Sequence, residues 1–554
     1  MKYNIDTVWE RFYSLLKLER RDILQVFYYA IFAGILSLSL PLGVQSIVNL
    51  IQGAQISTSW IILVALVSLG VMFTGTLQVM QMRIIETLQQ RIFTRSSFEL
   101  SYRFPKINMQ ELRNHYPPEL ANRFFDTMSI QKGLSKILID VPTALIQILF
   151  ALLLLSFYHP FFILFGVSLL TVMYFVFQVT IRRGLETSLV ESKQKYKVAH
   201  WIQEIARAVV GFKLSGNTNF TLEKNDALVS DYLKARESHF RVIKMQYIKM
   251  IAFKVAVTTG LLVIGGALVL NQKMNIGQFV AAEIIILLVI ASVEKLIVSL
   301  ETLYDILTSI EKLGQIVDME LEPQTGKTPN FDNGIEIELS DVHYTVADRE
   351  QAILSDINIK IPSGEVLLVH GTSGSGKSSL LRLLAGVNLP TKGSVFINEN
   401  NLKSMQLAHY RLHLGMSLAD ESPFEGTLYE NLTLGNANVS AALLREAIDV
   451  IGLQYFIKSQ PLGLDTMIYP EGKRLSSTVN KKILLTRAIL RQPKVLLLEN
   501  PLDDLPIQES QRIIDYLTAP NQKWSIVVVS SNPYWEEKCN QSITLSEGKL
   551  TVVS

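Results

Sequence analysis

The sequence is poor in cysteine and in charge. Cys539 is the single cysteine of the 554 residues, so an internal disulfide is excluded, and no group of Cys and His residues has metal-site spacing. Charged residues make up only 18% of the chain, against 49% hydrophobic residues. The net charge of +2 gives no general positive field, so no nucleic-acid partner is expected. The composition also argues against a disordered chain, a fibrous chain or a simple soluble globule.

Charge is missing altogether from two long stretches. Residues 23–82 and 141–181 contain no Asp, Glu, Lys or Arg. A helix of about 20 apolar residues crosses a hydrocarbon core. The first stretch is divided by the polar residues Asn49–Ser57 and the second by His159-Pro160, and two shorter spans follow. The pattern predicts six spans, at about 23–48, 58–82, the two halves of 141–181, 251–271 and 276–293.

Basic residues at the ends of the spans predict the orientation. Arg20 and Arg21 precede the first span, Arg83 follows the second and Arg182 follows the fourth, while the turns on the other side carry only Lys273. The positive-inside rule then places both termini in the cytoplasm. The two long segments on that side keep apolar residues at helical spacing, so we expect the spanning helices to continue into the cytoplasm.

Several polar or helix-breaking positions carry weaker predictions. The tips of the cytoplasmic segments are predicted at Tyr116-Pro117-Pro118 and at residues 211–217, as plain turns or as docking contacts. Glu283 lies in the sixth span, where it either pairs within the bundle or faces a substrate path. For Lys254, snorkelling to the membrane boundary or pairing within the bundle is favoured. Pro41 is expected to kink the first span.

The character of the sequence changes after residue 320. Pro and Gly residues interrupt any helix between Glu322 and Gly334, and beyond them short apolar runs alternate with helical segments. We therefore predict a membrane domain at 1–320, a linker at 321–334 and an α/β domain at 335–554.

The strongest chemical signal lies near the start of the third region. A stretch of the form G-x-x-x-x-G-K-[ST] follows the apolar run Val366–His370 and precedes a helical run. Glycines let successive backbone N–H groups point at phosphate oxygens. Lys377 would reach the β- and γ-phosphates, and Ser378 would ligate Mg²⁺. The predicted phosphate-binding residues are Gly371, Thr372, Ser373, Gly374, Ser375, Gly376, Lys377, Ser378 and Ser379.

With these features the chain resembles an ABC exporter half-transporter, similar to the bacterial exporters that secrete peptides and toxins but without their N-terminal peptidase domain. Phe424–Leu428 and Arg487–Leu490 resemble further motifs of that family. The resemblance implies an α-helical transmembrane domain of six spans with long cytoplasmic extensions, followed by an α/β P-loop NTPase domain of ABC type. It also implies ATP with Mg²⁺, a multi-pass location in the bacterial inner (plasma) membrane, and a homodimer or a heterodimer with a second half-transporter. A periplasmic adaptor is a further candidate partner.

The chain departs from the family pattern at the catalytic positions. Glu499 stands for the aspartate that binds Mg²⁺, one methylene longer, and Asn500 replaces the glutamate that acts as general base. Ser531 replaces the switch histidine, and Ala419 replaces the glutamine that senses Mg²⁺. Since an amide cannot accept a proton from the attacking water, hydrolysis at this site is expected to be impaired.

Two binding elements depart from the pattern as well. The signature, normally L-S-G-G-Q, reads Leu475–Val479 and keeps Ser476 as a hydroxyl for a γ-phosphate. Val346 stands where the family has an aromatic residue, so Tyr344, two positions earlier, is the candidate adenine contact.

The sequence therefore predicts a membrane-embedded exporter-type subunit. It would bind ATP and couple closure of nucleotide domains to transport of an unidentified substrate, with hydrolysis impaired. The alternative is an ATP-binding regulatory or scaffold subunit of a secretion complex that does not transport. The substrate, the choice of dimer partner and the occurrence of hydrolysis stay open at this point.

Overall fold

A computed structural model describes residues 5–52, 58–216, 218–346 and 351–553. Contacts divide the chain into two compact units. The first comprises the described parts of residues 1–106 and 114–319, and the second comprises residues 107–113 with the described parts of 320–554. Part of the predicted turn at Asn49–Ser57 and the last residue of the predicted tip at 211–217 lie outside the described residues.

The first unit is built from long helices. Helix α11 packs along α7, and α10 packs along α8. A core of apolar side chains from α7, α10 and α11 includes the buried residues Ala144, Leu261 and Ile285. The helices of this unit are α1 (Ile5–Leu18), α2 (Arg20–Ser37), α3 (Ser39–Gln52), α4 (Thr58–Arg103), α6 (Pro117–Asn122), α7 (Asp126–Tyr158), α8 (Phe161–Arg207), α9 (Val209–Leu214), α10 (Phe220–Leu270) and α11 (Ile276–Val317).

Five helical stretches of the described chain are long and apolar enough to cross a membrane: Arg20–Gln52, Thr58–Lys106, Pro117–Tyr158, Phe220–Leu270 and Ile276–Val317. The predicted fourth span lies in α8, which is not among these five, so a count of six is not confirmed. Helix α10 has 51 residues. At 1.5 Å per residue it is about 75 Å long, more than twice a hydrocarbon core. The expectation that spanning helices continue beyond the membrane is confirmed.

The first predicted span is interrupted near Pro41. Helix α2 ends at Ser37 and α3 begins at Ser39, so the break lies at Leu38. Proline has no N–H to donate to the carbonyl four residues earlier, which here belongs to Ser37. The helical hydrogen bond from residue 41 to Ser37 O is therefore missing, and a kink at Pro41 stays a prediction.

The charges near the spans have different environments. Lys254 Nζ lies 2.5 Å from Glu294 Oε2, so α10 and α11 are joined by an ion pair. This pairing is one of the two alternatives favoured from the sequence, and Glu294, its partner, was not singled out there. Glu283 is exposed on α11 and makes no ion pair with any residue that the structure describes.

The second unit contains two main sheets. The strands are β1 (Ile337–Tyr344), β2 (Leu354–Ile361), β3 (Val366–Gly371), β4 (Lys392–Ile397), β5 (Asn400–Asn401), β6 (Leu414–Ser417), β7 (Gly426–Thr427), β8 (Met467–Ile468), β9 (Val495–Glu499), β10 (Ser525–Val529), β11 (Gln541–Ser546) and β12 (Lys549–Val553). The helices are α5 (Met109–Leu112), α12 (Lys377–Leu384), α13 (Leu407–Leu412), α14 (Leu428–Thr433), α15 (Ala441–Ile451), α16 (Gln454–Ser459), α17 (Ser477–Leu490) and α18 (Ile507–Leu517).

The larger sheet brings three strand ends together. Its order is β12-β11-β3-β10-β9-β6, with β11, β3, β10, β9 and β6 parallel. Val529 at the end of β10 pairs with Val369 of β3 and with Glu499 of β9. Since parallel strands end at one edge of the sheet, the loops that follow β3, β9 and β10 are neighbours. The smaller, antiparallel sheet has the order β2-β1-β4-β5.

Residues 107–113 belong to the second unit although they lie between α4 and α7 in sequence. Ile107 forms a β-bridge with Leu321, and Asn108 N donates to Glu320 O at 2.9 Å. The sequence predicts the tip of this segment a few residues further along the chain, at Tyr116-Pro117-Pro118. The two prolines instead begin α6, where a missing N–H costs no helical hydrogen bond.

Candidate functional site

The loop between β3 and α12 has the backbone of a phosphate cradle. Gly374 and Gly376 have φ angles of +81° and +104°, which side chains rarely adopt. A Cβ on Gly376 would lie 3.0 Å from Ile353 O, whereas one on Gly374 would meet no atom within 4 Å. The loop is therefore tightly packed on one side and open on the other.

One charged side chain of this loop is placed for an anion. Lys377 Nζ donates to Gly371 O at 2.8 Å and to Thr372 O at 2.7 Å, so the ammonium lies over the loop. Ser375 Oγ is buried and has no hydrogen-bond partner among the described residues, and Ser375 does not line the pocket described below. The Lys377 ammonium and the open glycine backbone are therefore the groups of this loop that fit a bound phosphate.

The predicted metal ligands lie together. Ser378 Oγ donates to Glu499 Oε1, and Ala419 N donates to Glu499 Oε2 at 3.3 Å. Glu499 is only 8% exposed. The alanine at the glutamine position thus contributes its backbone N–H in place of a side-chain oxygen. The hydroxyl and the carboxylate form the oxygen set that Mg²⁺ prefers, and together they could hold one ion.

Asn500 follows directly and has a φ of +45°. Asparagine tolerates this left-handed conformation better than most residues. Its N–H donates to Val529 O at 2.8 Å, which ties the end of β9 to the end of β10. Asn500 also lines the pocket described below, so an amide is present at the position where the family has its general base.

An acidic residue that sequence analysis missed lies beside Ser531. Asp503 accepts hydrogen bonds from Ser530 Oγ at 2.5 Å, from Ser531 N at 3.1 Å and from Ser531 Oγ at 3.0 Å. In the sequence, the one indication of this contact is that Asp503 follows β9 and Ser531 follows β10, two strands that pair in parallel. A carboxylate therefore stands at the end of the pocket where the switch histidine is absent.

The neighbouring Asp504 points elsewhere. Lys481 Nζ lies 2.6 Å from Asp504 Oδ2, and Ser477 Oγ donates to the same oxygen at 3.2 Å. The hydrogen bond from the Lys481 ammonium lowers the pKa of Asp504 below its ordinary value. These contacts join the loop after β9 to the first turn of α17.

The glycine loop and the residues at the ends of β9 and β10 surround one pocket of about 810 Å³. Of the predicted residues, Gly371, Ser373, Gly374, Gly376, Lys377, Ser378, Ser379, Glu499, Asn500 and Ser531 line it. The lining also includes residues that sequence analysis did not assign to binding, namely Arg113, Val346, Ile353, Arg382, Asp503 and Ser530. The pocket is polar at the strand ends and aliphatic around Val346 and Ile353.

Four predicted residues are absent from this lining. Tyr344 is 2% exposed and belongs to the hydrophobic core, because its position in β1 turns the ring inward. Thr372 and Ser375 belong to the loop but do not face the pocket. Ser476 caps α17, where its Oγ accepts from Val479 N at 3.3 Å. A role for Ser476 at the γ-phosphate of a second subunit stays a prediction.

Comparison with known families identifies part of the chain. Residues 354–503 match the family described as ABC transporter. The chain is 24% identical over 287 residues to the alpha-hemolysin translocation ATP-binding protein HlyB of Escherichia coli O157:H7, covering 52% of this chain and 41% of that protein. It is 28% identical over 257 residues to the mitochondrial iron-sulfur clusters transporter of Rattus norvegicus, covering 46% of this chain and 33% of that protein. The chain thus spans less than half the length of these curated relatives.

A solved structure matches nearly the whole chain. The structure of a bacterial Atm1-family ABC exporter with ATP bound superimposes with a TM-score of 0.82, covering 96% of this chain and 94% of that one. Sequence identity in this comparison is 16%, so the likeness concerns the fold.

Proposed function

We propose that this multi-pass membrane protein is an exporter-type subunit that binds ATP with Mg²⁺, because residues 354–503 match the ABC transporter family and the chain has the fold of an ABC exporter. Binding would close nucleotide domains within a dimer and drive transport of an unidentified substrate. The observation that carries the proposal is the joint position of Lys377, Ser378 and Glu499 beside an open glycine loop. The exporter fold favours a transporting subunit over the regulatory scaffold.

Each residue has a defined part in this proposal. The backbone N–H groups of residues 374–378 and the Lys377 ammonium would bind phosphate oxygens, and the helix dipole of α12 would add to their attraction. Ser378 and Glu499 would hold Mg²⁺, which neutralises phosphate charge when bound.

Hydrolysis is proposed to be slow. Asn500 lines the pocket where a carboxylate would accept the proton of the attacking water, and a neutral amide cannot do so. General-base assistance is typically worth about 10² to 10⁴ in rate. Ser531 is held by Asp503 and carries no group that could replace the histidine at the γ-phosphate.

The membrane placement and the assembly follow from the same proposal. Arginines at the inner ends of the spans favour cytoplasmic termini in the bacterial inner membrane. A second subunit is part of the proposal: Ser476 does not line this chain's own pocket, so a role for it at a nucleotide would lie in a partner's pocket. That subunit would be another copy or a different half-transporter, and a periplasmic adaptor would be an additional partner.

The proposal is tested with the full chain in lipid nanodiscs. ATP affinity and turnover are measured for the native chain, Lys377→Ala, Asn500→Glu and the control Lys403→Ala, an exposed lysine outside the pocket. We expect at least a tenfold loss of ATP affinity in Lys377→Ala, none in Lys403→Ala, and turnover that rises from near background in Asn500→Glu. Absence of ATP binding by the native chain would contradict the whole proposal. Rapid turnover that depends on Lys377 in the native chain would contradict its hydrolysis part.

A further inference from the structure

The aliphatic side of the pocket has no aromatic surface for a nucleotide base. Val346 and Ile353 form this wall, and Tyr344 is buried behind it. Within the described residues, with 347–350 outside them, no Phe, Tyr or Trp lines the pocket, and the one aromatic ring in the lining is the His370 imidazole, whose Nε2 lies 3.8 Å from Glu536 Oε1. A planar base bound here needs another flat group to stack on, or it is left against aliphatic side chains alone.

Arg113 supplies a flat group at this place. Its side chain lines the same pocket, and its Cζ lies 5.2 Å from the centre of the Tyr344 ring. The guanidinium therefore lies within cation–π distance of the tyrosine ring. Arg113 is exposed and forms no ion pair with a carboxylate among the described residues. The guanidinium is thus available to a ligand and is not committed to a protein partner in that part of the chain.

The segment that carries Arg113 is held in place by backbone contacts. Asn108 N donates to Glu320 O at 2.9 Å, and the Asn108 side chain accepts from Gln110 N at 3.1 Å to cap α5. Arg113 N then donates to Met109 O at 3.2 Å at the end of α5. Ile107 is 2% exposed. These contacts give Arg113 a defined origin beside the pocket.

We propose that Arg113 stacks its guanidinium on the base of the bound nucleotide, with the Tyr344 ring supporting the other face of the guanidinium. Guanidinium groups stack on aromatic faces better than ammonium groups, because they are planar and weakly hydrated. The inference rests on the proposed function, since it requires a nucleotide whose phosphates bind at Lys377.

Two consequences distinguish this arrangement from an ordinary aromatic contact. Every base has a π-face, so stacking alone does not discriminate among bases, and ATP and GTP are expected to bind with affinities within about threefold of each other. The base contact also comes from the segment that runs between α4 and α7, so nucleotide would contact a piece of chain that is covalently continuous with two long helices.

The test compares ATP with inorganic tripolyphosphate, which has phosphates but no base. Binding of each to the full chain in nanodiscs with Mg²⁺ is measured by calorimetry for the native chain, Arg113→Ala and Arg113→Lys. We expect ATP affinity to fall about tenfold in both variants, while tripolyphosphate affinity stays within about twofold. Lys538→Ala is the matched control, because its ammonium lies 5.1 Å from the Tyr534 ring outside the pocket, and it should change neither affinity.

Any of the following results would contradict the inference. Unchanged ATP affinity in Arg113→Ala would mean that the guanidinium does not touch the base. An equal loss for ATP and tripolyphosphate, or full ATP affinity in Arg113→Lys, would mean that Arg113 acts by charge on the phosphates. If the native chain shows no ATP binding that depends on Lys377, the proposed function itself fails and the inference falls with it.

Discussion

Asp503 accepts two hydrogen bonds from Ser531, one from the backbone N–H at 3.1 Å and one from Oγ at 3.0 Å. The pair joins the loop after β9 to the end of β10 and places a carboxylate in the lining of the nucleotide pocket. In the family pattern, the second of these positions carries a histidine that reaches the γ-phosphate. Here Ser531 instead donates hydrogen bonds to the carboxylate of Asp503, and we expect this difference to affect the preference between ATP and ADP.

Removing the charge of Asp503 should favour ATP over ADP. A carboxylate near the phosphate end repels the additional charge of ATP by about 1.7 kcal/mol over roughly 10 Å at an effective dielectric constant of about 20, and salt screening lowers this to about 1 kcal/mol. In Asp503→Asn the ratio of ATP to ADP affinity should rise about fivefold, as measured by calorimetry in nanodiscs. Asp504→Asn removes an equal charge outside the pocket lining and should leave the ratio unchanged. A constant ratio in Asp503→Asn would show that the carboxylate is too distant or fully screened.

The two loop glycines should differ in their tolerance of alanine. Both have positive φ, which costs an L-residue about 1–2 kcal/mol. Only at Gly376 would the new Cβ approach other atoms closely, at 2.8 Å from Leu354 Cδ2 and 3.0 Å from Ile353 O. Without nucleotide, Gly376→Ala should therefore lower the unfolding temperature of the second unit more than Gly374→Ala. Equal decreases would mean that the loop relaxes freely around Gly376.

Lys254 and Glu294, the ion pair between α10 and α11, should make coupled contributions to the stability of the first unit. Lys254→Met leaves Glu294 without its partner, and Glu294→Gln leaves Lys254, so each single change should destabilise the first unit by about 1–3 kcal/mol. The double change should cost less than the sum of the two, as measured by thermal unfolding in lipid. Glu283→Gln is the control on α11, because Glu283 has no ion pair among the described residues and its loss should not change stability. A fully additive double change would exclude coupling.

The contact of Asp504 with Lys481 predicts a pH dependence of stability. The pKa of Asp504 is lowered in the folded chain by the hydrogen bond from Lys481, below the unfolded value of about 3.9. The contribution is therefore present above the unfolded pKa and is lost as the pH falls through the folded pKa. Asp504→Asn should lower the unfolding temperature slightly at pH 7, since the pair is exposed. That difference should disappear once the pH lies below the folded pKa of Asp504, where the carboxyl is protonated in both states. A difference that persists there would point to packing as the cause.

The sequence alone predicted those parts of the site whose structure is determined by residues close together in the chain. The glycine pattern from Gly371 to Lys377 requires positive φ and a following helix, and both are encoded within eight residues. Charge-free stretches likewise predict membrane helices, because the cost of burying charge in lipid depends on each residue by itself. Ser378 was predicted as a ligand from the local pattern and Glu499 from the family resemblance, and the strand order β3-β10-β9 brings the two residues together.

The remaining features depend on which distant segments meet. Tyr344 suits an adenine contact by residue type, but the alternation of β1 turns it into the core. Arg113 lies more than two hundred positions from Val346 and gives no local signal, because its place depends on the backbone pairing of residues 107–108 with 320–321. Asp503 and Ser531 meet because β9 and β10 are adjacent. Chemical type and local backbone geometry are properties of short segments, whereas the direction of a side chain and its partner arise from packing between segments far apart in the chain.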